Sequence, residues 1–391
     1  MTSTADEQTA SPHDQLAHLR STGPVHPVPI GPGMTGWLIT GYADARRALT
    51  DPRLSKGALA GMSPFPVDVR AAMSEHMLNA DPPDHTRLRR LVSAAFTARR
   101  IDGLRPRIQE ITDDLLAALD GRDEADVIDD FAFPLPFQVI CELVGVPDVD
   151  RDAFRGWSNT MVAGPAAAPE EMFAAVSQCA DYLAELIARK RAEPDDALLS
   201  GLIEASDAGD RLTGDELSSL VFLLLLAGHE TTVNLIGNAV YLLLQRPELA
   251  ARLRADESAM PAAIEEFLRY ESPVKSSTLR MAVEPVQVGD AVIPAGDIAI
   301  ISLLSANRDA EAFTDADTFD PERADTSGHL AFGHGVHYCL GAPLARLEGQ
   351  IAIGSLLRAF PGLRFAGDPA GLAWRPGLLM HGLVNLPVRL R

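Results

Sequence analysis

Ten consecutive residues, Phe332-Gly333-His334-Gly335-Val336-His337-Tyr338-Cys339-Leu340-Gly341, constrain this chain more than any others. Gly333 and Gly335 let the backbone turn tightly and come close to a flat partner. A run of good helix formers, Ala342 to Glu348, follows at once. Pro343 falls in its first turn, where a missing N–H costs nothing. Cys339 is therefore expected just ahead of a helix N-terminus, where the dipole favours thiolate over thiol. Such a loop offers one sulfur ligand to iron from beneath a macrocycle. Two other readings of these residues stay open. A lone cysteine is often simply buried, and His329, His334, His337 and Cys339 could gather round zinc, although the paired spacing of structural zinc sites is missing.

A second constellation is Ala227-Gly228-His229-Glu230-Thr231-Thr232, in the middle of the longest expected helix. That helix starts at Thr213, with Glu216 completing a capping box, and runs to about Gln245, ahead of Pro247. A mid-helix glycine costs about 1 kcal/mol relative to alanine. Thr231 is placed to bond the carbonyl of Ala227, four residues back, so a local opening that admits a ligand is expected here. Leu220, Leu224, Ala227, Thr231 and Leu235 share one face, apolar except for one hydroxyl. Taken alone the run also reads as plain core. A zinc-protease reading of His229-Glu230 fails, because Val233 stands where the second histidine is needed.

The first run resembles the haem-binding loop of the cytochrome P450 family, Phe-x-x-Gly-x-His-x-Cys-x-Gly, at every fixed position. The second resembles that family's [Ala/Gly]-Gly-x-[Asp/Glu]-Thr motif. The resemblance extends from Trp37 to Pro387. It implies a mainly α fold with small β-sheets, and a single haem-thiolate domain over residues 15–391 behind a flexible leader, 1–14. The cofactor implied is haem b, with Cys339 as axial thiolate and Phe332, Gly333, Ala227 and Gly228 against the macrocycle. Thr231 and Glu230 become the catalytic pair that delivers protons for O–O cleavage, while the thiolate pushes electron density toward the same bond. The family's peroxygenases lack this acid–alcohol pair, so a monooxygenase using O2 is expected.

Further positions follow from the same likeness. Glu266 and Arg269 match the family's Glu-x-x-Arg, and Arg323 in Phe319-Asp320-Pro321-Glu322-Arg323 is the expected third member of a buried network bracing the cysteine loop. As bare residues, Glu266 and Arg269 would be an ordinary i, i+3 surface pair. His85 and Arg89, one helical turn apart, are expected with Arg280 and His337 to meet the two haem propionates. The substrate pocket is expected to use Leu224, Val274, Ser276, Ser277 and Leu379, within residues 57–80, 160–175, 274–278 and 378–380. Lys275 reads as solvated, although it could meet a substrate carboxylate.

The chain has no Gly-rich nucleotide fingerprint and no added flavin or iron–sulfur region, so electrons derived from NAD(P)H must arrive through an external ferredoxin and ferredoxin reductase. Seven arginines, at positions 87, 89, 90, 99, 100, 105 and 107, form a basic island in a chain of net charge -20. An acidic ferredoxin is expected to dock there, although a solvated Arg-rich face reads as well. That net charge argues against nucleic acid as a partner. The three cysteines make no disulfide framework, which suits a reducing cytoplasm. Met1 to Gln15 lacks a signal-peptide pattern, and the apolar run Leu220 to Gly228 falls short of the ~20 residues of a membrane span. A cytoplasmic monomer that hydroxylates or epoxidises a small molecule in bacterial secondary metabolism is the expectation. The alternatives are oxidative coupling or bond cleavage without oxygen insertion, and a non-enzymatic haem sensor.

Overall fold

The computed structural model describes residues 12–31, 33–62, 71, 73–93, 96–163, 168–207, 212–323 and 326–391. Most of the leader expected over 1–14 lies outside these residues, and its last part opens a helix, Pro12–Thr22. Contacts divide the chain into two compact groups. One comprises Met1–Leu59, Ala262–Cys339 and Leu378–His381; the other comprises Ala60–Pro261, Leu340–Gly377 and Gly382–Arg391. Ten strands occur among the described residues: β1 (Val25–Gly31), β2 (Met34–Ile39), β3 (Leu54–Ser55), β4 (Glu124–Asp126), β5 (Arg280–Ala282), β6 (Val286–Val288), β7 (Ala291–Ile293), β8 (Ile298–Ile301), β9 (Arg364–Phe365) and β10 (Pro387–Arg389).

The first group is built on a five-stranded sheet in the order β1-β2-β8-β5-β3. Strand β8 sits in the middle and is buried at every position, as its unbroken Ile-Ala-Ile-Ile run requires. It pairs parallel to β2, with Trp37 opposite Ala299. The helix Tyr42–Thr50 lays Ala45, Ala48 and Leu49 on a core shared with Ile39, Leu54, Ile301 and Leu330. β6 and β7 form a hairpin, turning at Gly289 with φ 54°. Strand β8 stops at Ile301. Ser302 there accepts from the Ser305 N–H and caps a short helix, Leu303–Ala306.

The second group is helical, with a small sheet in the order β4-β10-β9. The helix Gly214–Leu244 begins at the expected capping box: Thr213 Oγ1 accepts from Glu216 N at 3.0 Å, and Glu216 accepts from Thr213 N at 2.9 Å. It stays α-helical along its whole length, so the expected opening at Gly228 does not occur. Close packing explains the glycines instead. A Cβ at Gly228 would lie 2.6 Å from Ile140 of the helix Pro134–Val144, and one at Gly237 would lie 2.5 Å from Ile128. By length and composition this helix is able to cross a membrane, but 67% of its most apolar window is buried inside protein. Its apolar surface is thus taken up by packing.

Six helices gave no signal in sequence: Pro12–Thr22, Ala98–Gly103, Arg151–Ala163, Leu198–Asp207, Pro247–Ala255 and Leu303–Ala306. Arg151–Ala163 contains Gly156, Ser158, Asn159 and Thr160, all weak helix formers. It is held by packing of Phe154, which has no exposure, against Phe137 and Trp157.

Candidate active site

The cysteine loop is closed by its own backbone. Cys339 N donates to Phe332 O at 2.9 Å, Gly333 N to Leu330 O at 2.8 Å and Tyr338 N to Gly335 O at 3.0 Å. Gly333 and Gly335 have φ of 72° and 74°, a region that side chains with a Cβ avoid. At Gly335 a Cβ would also meet Thr50 Cγ2 at 2.7 Å. Cys339 ends exposed, while Cys141 and Cys179 are buried and their thiols are pushed up to about 12 by that burial. The helix Ala342–Ala359 starts three residues after Cys339, with Pro343 in its first turn. The zinc reading does not hold among the described residues. His329 pairs with Glu265 at 3.2 Å, His334 meets Arg46 at 3.3 Å, and these side chains do not converge with Cys339 on one point.

The three network residues come together as expected. Arg269 forks onto Glu266 through two bonds of 2.7 Å, and Arg323 Nε lies 3.5 Å from the same carboxylate. Arg269 also donates to the carbonyls of Asn307, Ala316 and Thr318, and Asp320 N donates to Glu266. Asn307 carries the connection onward, since its Oδ1 accepts from Leu330 N at 2.6 Å, just before the cysteine loop. The surface-pair alternative for Glu266 and Arg269 is therefore wrong; both are fully buried.

On the long helix, Thr231 Oγ1 donates to Ala227 O at 3.2 Å. Ala227 is exposed and Gly228 and Thr231 are half-buried, although His229, Glu230 and Thr232 beside them are buried. Part of one face of an otherwise covered helix is therefore open at the motif. Leu224 is buried one turn earlier. Burial raises the Glu230 pKa, opposed by Arg375, whose Nη1 lies 3.3 Å from Glu230 Oε1. His229 points elsewhere. It bonds Ser158 Oγ at 2.9 Å and Leu225 O at 2.8 Å within the rings of Phe133 and Phe137, and burial lowers its pKa to about 4.

The cations expected at propionates lie in different settings. His85 and Arg280 are buried, Arg89 and His337 half-buried. His85 and Arg89 stand one turn apart on the helix Asp84–Ser93, and Arg280 begins β5. In the pocket segments, Val274 bridges to Met380 and Lys275 N donates to Leu379 O. Leu379 is exposed. Ser276 bridges to Ser302 in the backbone. The Ser277 hydroxyl accepts from Ile301 N and donates to Thr278 O, and Thr278 accepts from Lys56. The hydroxyls of Ser277 and Thr278 thus serve internal bonds. Lys275 is not freely solvated, for burial lowers its pKa. Residues 63–70, 72 and 164–167 of the expected pocket lie outside the described residues.

Several polar groups gave no signal in sequence. Arg375, Asn234, Ser158 and Glu348 meet the motif helix from distant positions or lie outside any motif. Glu271 is a further case: it accepts from His13 at 3.0 Å, His381 at 2.6 Å and Arg308 at 3.2 Å. His13, Glu271 and His381 have the spacing of metal ligands. Arg308, on the same carboxylate and stacked 3.5 Å over Tyr270, already supplies the positive charge, so this is an ion-pair junction. The arginine island is also partly neutralised, because Arg87 pairs with Glu216, and Arg107 with Glu110 and Glu142.

Comparison with known proteins gives a consistent picture. A family model described as Cytochrome P450 matches residues 165–363. Cytochrome P450 107B1 of Saccharopolyspora erythraea is 54% identical over 388 residues, covering 96% of this chain and 94% of that protein. The cytochrome P450 monooxygenase PikC of Streptomyces venezuelae is 48% identical, covering 98% of this chain and 92% of its own. The tirandamycin C-bound P450 monooxygenase TamI superposes with a TM-score of 0.91 at 48% identity, over 99% of each chain. With the cysteine loop, the acid–alcohol motif and the buried Glu-x-x-Arg all in place, the chain belongs to the cytochrome P450 family and is an enzyme of that class.

Proposed function

We propose that this enzyme inserts one oxygen atom of O2 into a small organic substrate of bacterial secondary metabolism, by hydroxylation or epoxidation. The reaction is RH + O2 + two electrons + two protons → ROH + H2O. The observation that carries this reading is the pairing on one helix of an open hydroxyl, Thr231, with a buried carboxyl, Glu230, whose charge Arg375 supports. A haem that only binds or senses a ligand needs no such proton source.

The residues present fit a haem. Cys339 is an accessible thiol on a loop rigid enough to hold a metal ligand, unlike the two buried cysteines. The open patch at Ala227, Gly228 and Thr231 has no bulk that would exclude a flat ring, and the buried nitrogen groups of His85 and Arg280 suit carboxylates. In this reading Cys339 would ligate the iron, Phe332 and Gly333 would meet the macrocycle, and His85, Arg89, Arg280 and His337 would hold the propionates. The bound haem-thiolate supplies oxygen activation. Thr231 orients a proton at its Oγ1, and Glu230 passes protons in from solvent. Leu224, Val274, Ser276, Ser277 and Leu379 are the residues assigned to the substrate in this reading.

Electrons reach the enzyme from NAD(P)H through ferredoxin reductase and a ferredoxin. The docking face is the part of the arginine island not neutralised by Glu216, Glu110 and Glu142, around Arg99 and Arg105. We place the protein in the cytoplasm as a single haem domain over residues 15–391, acting as a monomer. The tirandamycin C bound by TamI supports a natural-product substrate. The test is a Soret titration of purified holoenzyme against macrolide, terpenoid, aromatic and peptide scaffolds, followed by product mass. A low-spin to high-spin shift and a product heavier by one oxygen support the proposal. A product lighter by two hydrogens assigns oxidative coupling instead, and a Cys339→Ser variant that keeps the thiolate spectrum refutes the ligand assignment.

A further inference from the structure

Arg375 lies in the C-terminal segment that lines the motif helix. Its Nη1 stands 3.3 Å from Glu230 Oε1; the Glu230 side chain is 3% exposed and that of Arg375 is 25% exposed. Arg375 therefore connects a buried carboxylate to solvent. One helical turn along, Asn234 is 1% exposed. Its amide reaches the Glu230 carboxylate and, with Arg375, favours the charged form, while Asn234 Oδ1 and Arg375 Nε are buried without a partner. Folded proteins leave very few such atoms unsatisfied, and two in one cluster suit an ordered water, which typically makes about two to four bonds to groups of this kind.

The backbone shapes this cluster. Arg375 N donates to Gly382 O at 2.8 Å, and a Cβ at Gly382 would fall 2.1 Å from Asn234 Oδ1. Glycine at 382 thus leaves the Asn234 amide beside Glu230. Trp374 packs edge-on against Tyr241, three helical turns beyond Glu230, with ring centroids 5.4 Å apart.

We propose that Arg375 is the positioning residue for proton delivery: it holds the Glu230 carboxylate at the solvent edge of the helix and, with Asn234, binds the water through which protons reach Glu230. This rests on reading Glu230 as the proton relay. The other titratable groups nearby face away from that carboxylate. His229 bonds Ser158 and Leu225 O, and Glu348 lies toward Thr232. Among the described residues Arg375 is the cation in ion-pair contact with Glu230. Without it, only the Asn234 hydrogen bond opposes burial, and Glu230 stays protonated to higher pH.

The experiment uses holoenzyme with a turned-over substrate and compares the native protein with Arg375→Gln, Arg375→Lys and Glu230→Gln. An infrared pH titration follows the protonated carboxyl band that Glu230→Gln removes, and product formed per reductant consumed is measured in parallel. Arg375→Gln is expected to raise the pH midpoint of that band and to lower product per reductant roughly tenfold, less than the 10²–10⁴-fold typical of losing a general acid, because Glu230 itself remains. Arg375→Lys is expected to restore most of both. If Arg375→Gln does not fold, Asn234→Leu takes its place and is expected to cut product yield in the same direction. A normal thiolate spectrum with an unmoved midpoint or unmoved yield overturns the role of Arg375. Full yield in Glu230→Gln overturns the relay reading itself, and the role of Arg375 with it.

Discussion

Glu266 and Arg269 face each other with no solvent exposure, joined by two hydrogen bonds of 2.7 Å. Spacing of i, i+3 on an exposed helix would contribute only ~0.2–0.5 kcal/mol. Here the pair also gathers three backbone carbonyls, the Asp320 N–H and Arg323. Removing one partner leaves a buried charge uncompensated, at a cost of ~3–5 kcal/mol. Glu266→Ala is expected to lose haem or fold, because Asn307 links this network to Leu330 ahead of the cysteine loop. Haem content per chain and a urea midpoint check it; full haem content at native stability would refute it.

His229 makes acid stability predictable. Burial lowers its pKa from 6.5 to about 4. Between those values the unfolded chain binds the extra proton, so the contribution of His229 is present above pH 6.5 and is lost as pH falls toward 4. Its size is at most about 3 kcal/mol. His229→Gln is expected to flatten this part of the stability profile. Denaturant unfolding at pH 7.5 and 4.5, native against variant, measures the difference; equal slopes would rule His229 out as the source.

Glu348 has the opposite sign. Complete burial raises its pKa to about 8, with Thr232 only partly offsetting the effect. A carboxyl raised in the folded state favours folding below its unfolded pKa and disfavours it as pH rises toward 8. Glu348→Gln is therefore expected to be nearly neutral at pH 5 and stabilising by about 1–3 kcal/mol at pH 8.5. Thermal midpoints at the two pH values decide; a variant less stable than native at pH 8.5 would show that the carboxylate has a partner worth keeping.

Two effects compete at Gly228. Alanine there would gain about 1 kcal/mol of helix propensity. Its Cβ would also sit 2.6 Å from Ile140, an overpacking that costs ~1–3 kcal/mol. Packing is expected to win, so Gly228→Ala should be destabilising, and Ile140→Val should recover part of the loss in the double variant. Additive losses in the double-mutant cycle would show that the two residues do not press on each other.

Chemistry carried by short contiguous segments was legible before any coordinates. Helix dipoles, glycine φ values, capping boxes and i, i+4 hydrogen bonds are local. The cysteine loop, the Thr213–Glu216 cap, the Thr231–Ala227 bond and the β6–β7 hairpin all follow from residues within a few positions of one another. The long helix was legible for the same reason, but its continuity through Gly228 was not. What requires glycine there is Ile140, far away in sequence, which fills the space a Cβ would need.

Partners distant in the chain escaped because no period or spacing announces them. Arg375 meets Glu230, Ser158 meets His229, and Arg308 with two histidines meets Glu271 across separations that only the folded backbone closes. Weak helix formers in Arg151–Ala163 became a helix because burying Phe154 outweighs propensity. Residue types and local spacing thus pointed to the family and singled out Cys339, Thr231 and Glu230 as candidates. Tertiary packing alone settled which charges are buried, what neutralises them and how far each pKa moves, since desolvation depends on everything that surrounds a group and not on its neighbours in the chain.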